Sequence, residues 1–316
     1  MTNTAFSYSP APRVTILMGI RNGADHLAAQ LHSISQQSHA NWHLMCSDDG
    51  STDASAQILD EFAQNHPGQV TIKCGPCSGF SDNFMSLIRA LPVDAGYVSF
   101  ADQDDIWMPD KLARALAQLA QQGPRAALYC ARQSYWYPRT NRQRFSPRML
   151  RPFTLRNALI ENVATGNTIL LNPAAAALAQ MAAHHTDKVF AHDWWLYLLM
   201  TATGGTVLFD NSLPQILYRQ HGQNVIGAGH GMLPQMQRKA GVLRGFFAQR
   251  IEKNLQALRA IEGFLTPQAR ETCRRFSAAR HAPPLARLFA LRAIAPYRQH
   301  RTATLGFWGA ASLGRI

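Results

Sequence analysis

Residues 97–107 read YVSFADQDDIW. Five residues suited to a buried strand, Tyr97 to Ala101, run straight into three carboxylates within four positions, Asp102, Asp104 and Asp105. Like charges packed this closely cost stability unless something positive sits among them. Asp102 and Asp104 lie two apart at the strand end, and the two-residue period of a strand points both side chains to one side. Two hard oxygen ligands there suit Mg²⁺ or Mn²⁺, which takes one or two carboxylates and completes its shell with phosphate oxygens. Asp104 or Asp105 can also cap the helix that enters at Pro109, but three acids exceed what a cap requires.

The same pattern recurs toward the N-terminus. RVTILMGI (13–20) is a near-continuous apolar run, as a buried strand requires, and the helix after Asn22-Gly23 carries Leu27, Leu31 and Ile34 on one face. NWHLMCS (41–47) closes in DDGSTD (48–53), whose Ser51, Thr52 or Asp53 caps a helix bearing Ile58, Leu59 and Phe62. QVTIKC (69–74) precedes a Gly-rich turn and the helix DNFMSLIRAL (82–91). Beyond residue 124 the sequence predicts a strand over 126–137, a polar loop over 139–150 and a strand over 165–172. An Ala-rich helix after Pro173, a helix over 192–204 capped by Asp193, and strands at 205–210 and 214–221 follow. The alternation is that of an α/β fold with a mostly parallel central sheet flanked by helices. Ligands of such sheets bind at the carboxyl ends of the strands, and here RNG, DDGSTD, PCSGF and ADQDD all converge on that rim.

A carboxylate at a strand end can accept a hydrogen bond from a nucleobase imide or a ribose hydroxyl. No G-x-G-x-x-G follows the first strand and no phosphate-loop lysine appears, which argues against NAD and ATP. Without a backbone phosphate cradle, a metal is the natural partner for the phosphates.

The formal charge of +12 is not spread evenly. Residues 1–234 hold 16 basic and 16 acidic side chains, whereas 235–316 hold 15 basic and 3 acidic. The chain thus divides into a neutral globular part, 12–234, and a basic helical C-terminal extension, 235–316, with breaks at Thr266-Pro267 and Pro283-Pro284. Arg-rich segments mixed with Leu and Phe suit an anionic membrane surface or packing on the globular part. A nucleic-acid-binding module would account for the tail, but no RNA- or DNA-binding motif is present and the acidic rim would be unexplained. The N-terminus is polar and carries no signal peptide, and WWLYLLMTATGGTVLF (194–209) is short and Gly-interrupted for a bilayer span. Five cysteines without framework spacing read as reduced thiols, and the C-x-x-C of KCGPC (73–77) as accidental.

In order and spacing, VTILMGIRNG, SDDGSTD, SDNFMSLI and FADQDDIWMPDKL, continued by TGNTILLN, HDWW and YRQHGQNVIG, resemble the family 2 glycosyltransferases of the GT-A fold. Within that family they are similar to the rhamnosyltransferase-like enzymes of bacterial surface-polysaccharide assembly. The resemblance implies a nucleotide-sugar donor, dTDP- or UDP-linked, a divalent Mg²⁺ or Mn²⁺, and a glycan or lipid-linked acceptor. It implies that Asp49, assisted by Asp48, meets the base, that Asp102 reaches ribose or metal, and that Asp104 is the metal ligand of the D-x-D motif. It further implies that Asp193 is the catalytic base and that His221 joins the metal or diphosphate. The Q-x-x-R-W motif of processive members is absent, which points to transfer of a single sugar rather than polymerisation. Reduced thiols suit a cytoplasmic protein, and the basic tail suits peripheral attachment at the inner face of the membrane.

The chemistry follows from these roles. An acceptor hydroxyl is a weak nucleophile, so a carboxylate must take its proton as the new bond forms. Arg219 and Lys111 are candidate clamps on the departing diphosphate, or else solvated surface cations. Trp194 and Trp195 either stack on a sugar or pack in the core. A noncatalytic nucleotide-sugar binder would not need an intact D-x-D together with Asp193.

Overall fold

The computed structural model describes residues 11–220 and 246–316. Strands β1 (Val14–Ile20), β2 (Trp42–Asp48), β3 (Val70–Cys74) and β4 (Tyr97–Ala101) alternate with helices α1 (Ala24–Ser35), α2 (Ser55–Asn65) and α3 (Phe80–Arg89). A short strand β5 (Ile106–Trp107) and helix α4 (Lys111–Ala120) follow, then β6 (Ala127–Ala131), β7 (Ser134–Tyr137) and β8 (Arg142–Phe145). Next come α5 (Leu155–Ala158), β9 (Leu170–Leu171), α6 (Pro173–His184), α7 (His192–Thr203), β10 (Thr206–Asp210) and β11 (Ile216–Arg219).

The main sheet has the order β10-β6-β9-β4-β1-β2-β3, parallel except for β9, which runs against both neighbours. Its two faces are written in the period of two. Ile16, Met18, Leu44 and Cys46 join one core with Leu27, Leu31 and Leu112 from α1 and α4. Leu17, Met45, Val98 and Phe100 join the other with residues of α3, α6 and α7. A slip of one residue would exchange those faces, and each fully buried aliphatic or aromatic side chain is worth about 1.5–3 kcal/mol, so register is strongly fixed.

A second sheet, β5-β11-β7-β8, stands beside the first. The strand expected over 126–137 therefore divides: β6 belongs to the main sheet and β7 to the small one, with Arg132 and Gln133 between them. The loop expected over 139–150 contains β8, paired with β7 from Ser134↔Phe145 to Tyr137↔Arg142. All four residues of β8 are exposed, so no face had to be apolar and the alternation that marks a strand is missing. The strand expected over 165–172 shrinks to β9, because Gly166–Thr168 form a tight helical turn. Pro109 precedes the first turn of α4, whose N-cap position is Asp110.

Helix α7 is apolar on every side because it is sandwiched. Its Trp194–Met200 segment is buried between the sheet and the C-terminal helices α8 (Phe246–Ala260) and α9 (Pro267–His281), with α10 (Pro284–Ile294) and α11 (Arg301–Ser312) joining the same core. Ile251, Leu255, Phe276, Leu291 and Phe307 of these helices share one core with α7, so the basic helices pack on the globular part rather than trail from it. As the sequence suggested, breaks fall before Pro267, where Thr266 caps α9 by accepting from the Ala269 N–H at 3.1 Å, and at Pro283-Pro284. Among the described residues, no helix is long and apolar enough to cross a membrane.

Candidate active site

Parallel pairing aligns the strand ends: Ile20 lies opposite Asp48, and Met18 opposite Ala101. The residues that leave β1, β2 and β4 therefore emerge side by side. They form one wall of a cleft of about 1340 Å³ that is lined by Asp49, Asp102, Asp104 and Asp193, among others.

Asp49 is only 2% exposed. Its Oδ2 accepts the Gly79 N–H at 2.9 Å and lies 3.8 Å from the Arg21 guanidinium, while Oδ1 has no donor among the described residues. A buried carboxylate oxygen without a partner is costly and is aimed at a ligand in a way that a satisfied one is not. Gly79 holds φ +95°, ψ 170°, a region open essentially only to glycine, and so presents its N–H there. Asp48 turns away: its Oδ1 accepts from the N–H and Oγ of Ser51, at 2.8 and 2.6 Å, and it is not on the cleft wall. Asp53 ties the loop to two helices, accepting from Ala24 N–H at 2.9 Å and Ser55 N–H at 3.0 Å.

Asp102 is half-buried, and burial, with the charges of Asp104 and Asp193 nearby, pushes its carboxyl up to about 7. Asp104 lines the cleft beside it. Gln103 clamps the end of β1, accepting from Arg21 N–H at 2.9 Å and donating to Arg21 O at 3.0 Å. Arg219 lies behind this loop: its Nε donates to the backbone oxygen of Asp104 at 2.9 Å and its guanidinium covers Trp136 at 4.6 Å. It orients the acidic loop from outside the cleft wall. His221 lies outside the described residues.

Two expectations fail here. Asp105 caps nothing: it is fully buried and accepts from Asn167 Nδ2, while burial and its acidic neighbours push its carboxyl up. Lys111 is neither a diphosphate clamp nor a solvated surface cation. Its Nζ is buried over the Trp107 ring at 3.6 Å and donates to Ser99 Oγ at 3.2 Å; burial brings it down to about 7, with Asp105 pulling the other way. Both belong to the packing beneath the site, where a charged side chain persists only with a partner.

Asp193 stands in the first turn of α7, whose N-cap position is Ala191, so it does not cap the helix as expected. It accepts from the Trp194 N–H at 2.6 Å and the Gly166 N–H at 3.2 Å. Burial raises its carboxyl to about 6, and these hydrogen bonds hold it from going higher. It remains an anion at neutral pH yet is basic enough to take a proton. A Cβ on Gly166 would meet His192 Nε2 at 2.8 Å, so the turn approaches α7 closely because it has no side chain there. Sequence reading passed over His192, which lines the cleft stacked on Phe84, ring centroids 3.9 Å apart, and is kept neutral by burial, at about 3. Trp195 is core; Trp194 is nearly buried, donating from Nε1 to Ala158 O at 2.7 Å, and shows an edge to the cleft.

Asp102 and Asp104 suit a divalent cation. They supply two hard oxygens at the mouth of the strands, and the Asp102 carboxyl is raised first by burial and then by the charges of Asp104 and Asp193, a cost that a cation would relieve. No group of three His, Cys, Asp or Glu side chains forms a ready metal site among the described residues.

The opposite wall was not foreseen. It is contributed by the β6–β8 region, the loop around Glu161 and Asn162, Phe190, and the C-terminal residues Phe247, Arg250 and Arg298.

The family model for glycosyl transferase family 2 matches residues 15–183. The chain is 26% identical over 258 residues to the Shigella flexneri dTDP-rhamnosyl transferase RfbG, which spans 79% of this chain and 87% of that one. It is 28% identical over 107 residues to the Escherichia coli UDP-Glc:alpha-D-GlcNAc-diphosphoundecaprenol beta-1,3-glucosyltransferase WfgD, which covers 34% of this chain and 40% of that one. Among solved structures it is similar to Staphylococcus aureus TarS 1–349 in complex with UDP-GlcNAc, with a TM-score of 0.56 at 12% identity over 95% of this chain and 90% of the other. The architecture is the GT-A fold that the motifs had implied.

Proposed function

Because the chain belongs to glycosyl transferase family 2, we propose that it is a metal-dependent, inverting glycosyltransferase that moves one sugar per encounter. We infer L-rhamnose from dTDP-rhamnose as donor, and a glycan or lipid-linked acceptor of cell-surface polysaccharide. The observation that carries the reading is the convergence on one cleft of Asp49 with its unpartnered Oδ1, the Asp102–Asp104 pair, and Asp193. The choice of donor rests on the similarity to the Shigella rhamnosyl transferase over most of both chains.

In this reading Asp49 accepts from the imide N–H of the pyrimidine base, and Asp102 and Asp104 would hold Mg²⁺ or Mn²⁺ against the diphosphate. The bound cation would supply Lewis-acid stabilisation of the leaving charge. Asp193 takes the proton of the acceptor hydroxyl as its oxygen attacks the anomeric carbon from the side opposite the departing diphosphate, which inverts that centre. Gly166 N–H and Trp194 N–H keep the Asp193 carboxylate fixed for this transfer. Arg219 acts through the acidic loop, as a positioning residue.

Chemistry is assigned to residues 12–234 and membrane attachment to the basic segment 235–316, of which Phe247, Arg250 and Arg298 also line the cleft. Leu285 and Phe289 on α10 and Leu305 and Leu313 on or beside α11 are 66–74% exposed, with Arg292 and Arg301 exposed on the same two helices. Apolar side chains mixed with cations suit an anionic bilayer surface. Flotation with anionic and with neutral liposomes tests this, and equal recovery would remove the electrostatic part.

Calorimetric titration with dTDP, UDP and GDP, with and without Mn²⁺, tests the donor site, followed by turnover of dTDP-rhamnose. Metal-dependent binding of dTDP with transfer of rhamnose is the expected result. Metal-dependent binding of another nucleotide would keep the reaction and change the donor; binding of none would overturn the reading.

A further inference from the structure

The cleft wall facing the acids carries four guanidiniums, Arg132, Arg144, Arg250 and Arg298, against one carboxylate, Glu161. Glu161 is already occupied. It accepts from the Gln299 N–H at 2.6 Å and Asn157 Nδ2 at 2.9 Å, and lies 3.4 Å from Arg298 Nε. Arg132 is likewise engaged, donating from Nε to Ser146 O at 2.8 Å. Arg250 is different. It is an exposed residue on α8 whose guanidinium lies 4.8 Å from the Phe190 ring, with no carboxylate in ion-pair reach among the described residues. Burial lowers its pKa, and no acidic neighbour offsets that. The sequence offers none nearby either: no Asp or Glu occurs between Asp210 and Glu252, and Glu252 holds Arg280 at 2.6 Å and Arg259 at 3.3 Å.

Position gives this cation a meaning. Phe190 meets Trp194 edge-on at 5.9 Å, and Trp194 follows Asp193 in the chain. Arg298 stands on the same wall, its guanidinium 5.9 Å from Phe247. Arg250 and Arg298, each beside an aromatic ring, thus line the same cleft as Asp193, and of the two Arg298 already has Glu161 beside it. Guanidinium forks match phosphoryl oxygens in geometry, and a cleft-lining fork without an acid partner can be completed by an anionic ligand.

We propose that Arg250, supported by Arg298, forms an acceptor subsite for a phosphate or diphosphate ester, so that the acceptor is recognised by its phosphoryl group while its hydroxyl faces Asp193. The proposal rests on the glycosyltransferase reading for the word acceptor, but not for the anion site itself. The ester can belong to a free sugar phosphate or to a lipid-linked diphosphate.

Titration of the full chain in EDTA with glucose 1-phosphate and with farnesyl diphosphate tests it, using wild type, Arg250→Gln, Arg250→Lys and Asp104→Ala. A hydrogen-bonded charge pair is worth about 1.5–3 kcal/mol, so Arg250→Gln is expected to weaken binding about 10- to 100-fold, and Arg250→Lys by less. Asp104→Ala, which removes the donor-side metal ligand, should leave these affinities unchanged. Binding of both probes means the phosphoryl group alone suffices, and binding of farnesyl diphosphate alone identifies a lipid-linked ester; each supports the subsite if Arg250→Gln weakens it. Affinity unaltered in Arg250→Gln, lost in Asp104→Ala, or absent for both probes overturns it. Should wild type bind no nucleotide yet bind these esters through Arg250, the donor reading fails and the anion site stands.

Discussion

The two walls of the cleft hold opposite charge, and they are built in opposite ways. The acidic wall consists of residues that directly follow parallel strands: Asp49 after β2, Asp102 and Asp104 after β4. The cationic wall is gathered from distant segments, Arg144 on β8, Phe190 before α7, Arg250 on α8 and Arg298 before α11. Both walls suit anions, but by different means. Carboxylates can hold a diphosphate only through a divalent cation, whereas guanidiniums hold a phosphoryl group directly. The donor end should therefore respond to chelators and the acceptor end should not.

The largest break in that contrast is expected from Asp104→Ala. Losing a ligand whose metal contributes several kcal/mol of transition-state stabilisation should lower kcat/KM about 10⁴-fold. It should also abolish the Mn²⁺ dependence of nucleotide binding, read by calorimetry. Retained metal dependence would show that the acidic wall is packing and not a site.

Asp193→Asn comes next, with kcat reduced about 10³-fold while donor affinity is held. Loss of donor affinity equal to the loss in kcat would mean that Asp193 holds structure rather than takes a proton. With the Asp193 carboxyl raised to about 6, wild-type kcat should rise about tenfold per pH unit below 6 and level above it. The same shift acts on stability with a definite sign. A carboxyl raised in the folded state contributes stability that is complete below the ordinary carboxylate range, near 4, and is lost as pH rises through about 6. Asp193→Asn should flatten that part of the unfolding curve, as urea titrations at pH 4 and 7 would register.

Asp49→Asn is a smaller step on the same wall. An amide can keep the Gly79 N–H bond through its oxygen, but it then puts NH₂ at the place of the buried, unpartnered Oδ1. Two donors would oppose each other at the base, weakening nucleotide binding about 10- to 100-fold by the 1.5–3 kcal/mol of a charge-assisted hydrogen bond. An unchanged affinity would remove Asp49 from base recognition.

Legibility in the sequence follows the same division. β1, β2 and β4 were readable because burial on both faces leaves a continuous apolar run, and the acids after them were readable because a strand end fixes where the next side chains go. β8 was not, since an exposed edge strand has no face to mark, and the 126–137 segment hid a change of sheet at Arg132-Gln133 that no local pattern records. Lys111 was misread because nothing within its own helix signals the Trp107 ring and Ser99 hydroxyl that receive it. The described part of the basic segment, 246–316, was legible as charge and largely as helix, although the break at 295–300 was not expected. That Arg250 and Arg298 enter the cleft depends on α7 being covered on its far side, a consequence of the tertiary packing alone.

The smallest expected effect falls on a residue between these cases. Gly79 lies in PCSGF, legible as a turn, yet its hydrogen bond to Asp49 is a tertiary fact. A Cβ there would touch nothing within 4 Å, so Gly79→Ala introduces no clash and isolates the backbone. At φ +95°, ψ 170° an alanine is strained by about 1–3 kcal/mol. The chain can bear that strain or relax by turning the amide away from Asp49. In the first case Tm falls by a few degrees and nucleotide affinity is kept. In the second Tm is held while affinity drops, because Asp49 then loses the donor that fixes its orientation. Since α3 begins one residue later and packs Phe84, Met85 and Ile88 into the core, the backbone at Gly79 has little room to turn. The first outcome is therefore expected, and a melting curve paired with one calorimetric titration distinguishes the two.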